Sequence, residues 1–184
     1  MLQWSREQMI FDWLKEILNP PEKVEIQHPY FGKLSYVAFK NIRGEKCERW
    51  EGELLTPFES NPVLIIIEAD IHGPTDEHQA RLEEFIHEFP RLQPKIFSVL
   101  FDEWKEVLAE CRDDEWSGAR ARNFDNPEKM AELFELGSIE LCKDEKYQYG
   151  LQYSYRGDLG EYDTTALFLA IDKDWDVSFS GGAD

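Results

Sequence analysis

The stretch Pro62-Val-Leu-Ile-Ile-Ile67 constrains this chain more than any other. Five consecutive aliphatic residues, four of them β-branched, suit a strand, and a strand that is apolar at every position needs cover on both of its faces. Residues 63–67 are therefore read as the buried central strand of a sheet, opened by Pro62 and closed by Glu68-Ala-Asp70.

On its N-terminal side the period is two. Leu34, Tyr36 and Ala38 alternate with Ser35, Val37 and Phe39; Gly44 marks a turn; Arg49, Glu51 and Glu53 then alternate with Trp50, Gly52 and Leu54. On its C-terminal side the period becomes helical. Thr75 is placed to cap a helix behind Gly73-Pro74, Asp76 and Glu77 fall in its first turn, and Leu82, Phe85, Ile86 and Phe89 make an apolar stripe. Pro90 and Pro94 interrupt, and Phe97, Leu100, Phe101, Trp104, Leu108 and Cys111 make a second stripe, which predicts an antiparallel helical hairpin. A short helix should start at Asn126-Pro127. Strand patterns return over residues 138–142, 148–155, 166–171 and 175–179, the last two joined by Asp172-Lys173-Asp174.

Residues 2–18 carry Leu2, Met9, Ile10, Trp13, Leu14, Ile17 and Leu18 at helical spacing, and Asn19-Pro20-Pro21 ends that helix. It can pack on the sheet or stand off as an arm for a partner. The order predicts an α+β fold: a mostly antiparallel sheet, a helical hairpin packed on one face, and an N-terminal amphipathic helix over 1–20 ahead of a single domain over 21–184.

Charge bounds the function. The 184 residues hold 38 Asp and Glu against 20 Lys and Arg, a net charge of -18, so neither a nucleic-acid backbone nor an anionic membrane is an expected partner. The first 60 residues are nearly balanced, with 10 acids and 8 bases, whereas residues 125–184 hold 14 acids and 5 bases. Cys47, Cys111 and Cys142 are too scattered for a disulfide framework or a zinc knuckle, and the charged start MLQWSREQMIFDWLKEIL is unlike a signal peptide, so the expected location is cytoplasmic.

Chemistry-bearing patterns are sparse. Asp70, His72, Asp76 and His78 gather beyond the apolar strand and are the candidate metal ligands of a hydrolase, although helix capping accounts for Asp76 without a metal. No GxSxG elbow, phosphate loop or dinucleotide fingerprint occurs, and no cofactor is expected. Acidic and aromatic residues concentrate instead in expected loops and late strands. Asp113, Asp114, Glu115, Trp116, Tyr155, Asp158, Glu161, Tyr162, Asp163, Asp174 and Asp176 form the candidate partner-binding set, with carboxylates to steer a basic protein and rings to anchor it.

At His28-Pro-Tyr-Phe-Gly-Lys-Leu34, Arg49-Trp-Glu-Gly-Glu53, Ile67-Glu-Ala-Asp70, Gly73-Pro74 and Gln79 the chain resembles uncharacterised bacterial domain families with FGxL and WxGE strands, some of them associated with polymorphic-toxin immunity loci. The resemblance implies a fold neighbourhood and no catalytic residues; together with the acidic loops it leads to the expectation of a non-enzymatic, immunity-type protein that neutralises a basic effector such as a nuclease toxin. The alternatives are the metal-dependent hydrolase and a structural or adaptor subunit docking through its N-terminal helix.

Overall fold

The computed structural model describes residues 24–41, 44–110, 126–132, 134–143, 146–155 and 166–183. Eight strands follow one another across a single sheet in chain order: β1 (Glu25–His28), β2 (Gly32–Lys40), β3 (Lys46–Leu54), β4 (Val63–Ile67), β5 (Phe134–Leu141), β6 (Tyr147–Tyr155), β7 (Ala166–Asp172) and β8 (Val177–Ala183). All neighbours are antiparallel except β4 and β5, which are parallel. Parallel neighbours need a crossover, and here it contains α1 (Asp76–Glu110) and the short α2 (Pro127–Ala131).

This overturns the expected fold, in which a helical hairpin packs on the sheet: no hairpin forms among the described residues, and the sheet, though antiparallel at six of its seven pairings, is mixed. The sheet dominates the molecule, and one helix of 35 residues runs straight through Pro90 and Pro94. The reason is the apolar stripe. Leu82, Phe85, Phe89, Leu92, Ile96, Leu100 and Trp104, each no more than 3% exposed, recur at steps of three and four without a change of phase across both prolines. An interior proline costs about 3 kcal/mol or more, whereas each large side chain buried returns about 1.5–3 kcal/mol. Both prolines are exposed, so the carbonyls they leave unbonded can face water.

Helix α1 covers one face. Trp50, Ile65, Ile67, Ile139, Leu141, Tyr149, Leu151, Leu169 and Ile171 point toward it and are 0–1% exposed. Phe58 stacks on Phe89 with centroids 3.9 Å apart, and Trp104 meets Phe134 edge-on at 5.3 Å. A bulge between Leu136 and Ser138 resets the parity of β5, so Phe134 and Leu136 share the helix-covered face with Ile139 and Leu141. The motifs FGxL and WxGE are halves of one packing unit. Leu34 pairs with Gly52 across β2 and β3, and its Cδ2 lies 2.6 Å from where a Cβ on Gly52 would stand.

Candidate functional site

The cap of α1 sets the roles of the histidines near it. Thr75 is the N-cap of α1, and its backbone N–H donates to Nδ1 of His78 at 3.0 Å, while its hydroxyl lies 2.9 Å from the same nitrogen. His78 thus plays the part that Glu or Gln takes in a capping box. Nδ1 must be unprotonated to accept, which fixes the neutral tautomer. Burial holds the His78 pKa below its usual value, the positive Arg81 lowers it further, and a hydrogen bond with the Glu68 main chain partly offsets both.

Because the folded pKa is depressed, the cap's contribution is complete above about pH 6.5 and is lost as the pH falls through the folded value. His78→Ala should cost about 1 kcal/mol at neutral pH. It should also flatten the slope of Tm against pH below 6.5, as measured by thermal unfolding at a series of pH values.

The other expected metal ligands do not converge with it. The Asp70 carboxylate accepts from the His72 main chain at 2.9 Å, and Asp76 lies exposed in the first helical turn. Among the described residues no three His, Cys, Asp or Glu side chains are gathered as a metal would require.

Of the expected partner-binding set, Asp113, Asp114, Glu115, Trp116, Asp158, Glu161, Tyr162 and Asp163 lie outside the described residues, and so does the N-terminal segment 1–20. Tyr155 ends β6. Asp174 is exposed in the β7–β8 turn, which Asp172 builds by accepting from the main chains of Asp174 and Asp176, each at 2.9 Å. Asp176 has a structural partner, the Lys95 ammonium on α1.

Among the described residues, two concavities bear on these groups. One, of ≈ 580 Å³, lies where the start of α1 meets the ends of β5 and β6, beside His78, Cys142 and Lys143. Its charges are mixed and Arg81 is already engaged, donating to the Gln148 carbonyl at 2.5 Å and facing the Tyr149 ring. The other, of ≈ 330 Å³, lies in the sheet face opposite α1, and no described helix covers it. Register builds this groove. Glu51, Ile66, Glu140, Gly150 and Ala170 pair in one row across β3 to β7, and Leu64, Ser138, Gln152 and Phe168 form the next.

Among the described residues, the central strand, apolar on both faces, is covered by a helix on one only: Leu64 is 37% exposed and Ile66 half-buried. The carboxylates beside them differ in state. Glu51 is paired with Arg49 at 2.6 Å, and Glu68 accepts from the Lys143 main chain. Glu140 has no ion-pair partner among the described residues. It is half-buried, and Gly150 leaves it room: a Cβ there would come within 3.2 Å of the Glu140 Oε2. Burial raises the Glu140 pKa, the negative Glu68 raises it further, and Arg49 partly offsets them.

A raised carboxyl pKa means stability is greatest below the unfolded value and falls as the pH rises through the folded one. Glu140→Gln, which removes a poorly compensated charge, should therefore raise stability at pH 7 by about 1 kcal/mol, a Tm gain of about 2–4 °C by calorimetry.

None of Glu140, Gly150, Leu64 or Phe168 was among the expected site residues. The one signal for this face was the unbroken apolar run of β4. No described helix is long and apolar enough to cross a membrane. Comparison with known proteins finds no matching family model, curated protein or solved structure.

Proposed function

We propose that the protein is a non-enzymatic binding protein of the immunity type, which neutralises a basic effector such as a nuclease toxin in the cytoplasm by covering it. The observation that carries this reading is the open sheet face, where the half-exposed apolar residues of β4 sit beside Glu51, Glu53, Glu68 and Glu140. From β2 to β8 the face spans six strand spacings, about 29 Å, and strands of seven residues run about 23 Å. Their product, about 670 Å², approaches the ~800 Å² that each partner contributes to a stable interface. The net charge of -18 would speed association with a basic surface and disfavour acidic competitors.

Purification of the chain from its source cell at low ionic strength should bring down a basic protein, released near 1 M salt where the screening length is about 3 Å. Co-expression should abolish that protein's toxicity. A preparation without a basic partner, or a complex indifferent to salt, overturns the reading.

A further inference from the structure

The groove on the open face has a shape that selects among basic groups. Its walls are apolar, from Leu64, Ile66 and Phe168, and one half-buried carboxylate, Glu140, lies over the flat floor that Gly150 provides. A long side chain with a methylene stem and a terminal cation matches that sequence of surfaces, stem on apolar wall and charge on carboxylate. More than one acceptor is within the same rows: Ser138 Oγ lies 3.4 Å from Gln152 Oε1, beside Glu140. Several acceptors around one slot suit the planar, five-donor guanidinium better than a compact ammonium. Arg49 also lines the groove and its charge reaches Glu140, but its guanidinium is paired with Glu51 on β3 and lies against the Phe39 ring, 4.9 Å from its centroid, which leaves Glu140 without an ion-pair partner among the described residues.

We infer that this groove is an arginine-anchoring site, in which a basic protein partner lays one arginine side chain along Leu64, Ile66 and Phe168 and pairs its guanidinium with Glu140. The inference rests on the binding-protein reading above and names the contact that reading lacks. The anchors expected from the sequence were instead the rings beside the acidic loops. The groove shifts the decisive contact to the sheet, and leaves the loop carboxylates the smaller task of steering.

The probe is a fluorescein-labelled peptide of alternating leucine and arginine, with lysine and citrulline counterparts, titrated into the full-length chain and followed by anisotropy. The arginine peptide should bind about tenfold more tightly than the citrulline peptide, which keeps the shape and lacks the charge, and more tightly than the lysine peptide. Glu140→Gln should abolish the difference between arginine and citrulline. Gly150→Ala, which crowds Glu140, should reduce it, and Glu106→Gln, at an exposed position of α1 on the other side of the sheet, should change arginine binding less than twofold. Circular dichroism of each variant separates lost binding from lost fold.

If Glu140→Gln folds and binds as the parent does, or if Glu106→Gln weakens binding as much as Glu140→Gln, the site is overturned in favour of general charge attraction. If Trp13→Glu strengthens peptide binding, the chain's own N-terminal segment occupies the groove and the assignment to a partner fails. The two readings fail separately. Toxin neutralisation that survives Glu140→Gln removes the groove and keeps the immunity reading, whereas arginine-selective binding at Glu140 without any basic cellular partner keeps the groove and removes that reading.

Discussion

Gly52→Ala should destabilise the fold by about 3 kcal/mol, near the top of the range for overpacking a core, and lower Tm by about 6–12 °C. The added Cβ would stand 2.6 Å from Leu34 Cδ2 and 2.6 Å from the Lys33 carbonyl oxygen. A side chain can turn away, but a carbonyl in the β2–β3 ladder cannot without breaking the pairing of Leu34 with Gly52. Leu34→Ala alone should cost about 2–5 kcal/mol, since Leu34 is fully buried. In the double variant the new methyl enters space that Leu34 vacates, so its cost should fall short of the sum by about 1 kcal/mol. Equilibrium urea unfolding of the four proteins reads the cycle. Strict additivity would mean that the Lys33 carbonyl alone sets the penalty. Gly150→Ala is the contrast: its Cβ meets only side-chain atoms of Glu140 and Cys142, at 3.2–3.9 Å, and should cost little.

That packing unit explains why the motifs most visible in the sequence say little about function. In FGxL, Phe31 and Leu34 are core and Gly32 takes a φ of +73°; in WxGE, Trp50 is core and Gly52 admits Leu34. These residues build the sheet. Period-two alternation exposed β2, β3 and β6 for the same reason, since one face of each is turned toward α1. The start of β5 was hidden because the bulge after Leu136 breaks its alternation. Helix α1 was misread because proline is a strong local signal, and its cost is outweighed only by a buried stripe whose continuity depends on Leu92 and Ile96, which lie between and just beyond the two prolines.

The groove was legible only in part. The double-sided apolar run of β4 announced a face in need of cover, but Ile66, Glu140 and Gly150 become neighbours through a parallel pairing across a crossover of more than sixty residues. Nothing local in the sequence sets that register. The histidines show the converse. His72 and His78 invited a metal, and the spacing of three from Thr75 to His78 was equally that of a capping box, of which the chain forms the half in which the third residue reaches back to the cap N–H.

Trp50→Ala should be the most damaging single change, at about 3–5 kcal/mol, while Trp50→Phe should cost about 1–2 kcal/mol. Two roles separate the variants. The indole is fully buried between Tyr36, at 5.3 Å between ring centroids, and the Gly73 turn. Its Nε1–H donates to the Asp70 carbonyl at 2.7 Å, the same oxygen that accepts from the Gly73 main chain. Phenylalanine keeps most of the apolar burial and loses the donor; alanine loses both and leaves a cavity. The donor ties β3 to the turn that follows β4 and feeds Thr75 and the start of α1. Trp50→Phe should therefore speed hydrogen exchange over residues 70–78 while leaving the strands protected, whereas Trp50→Ala should speed exchange across β2, β3 and β4 together. If Trp50→Phe loosened those strands as widely as alanine does, the hydrogen bond would have no separate role, and the tryptophan would act through its volume alone.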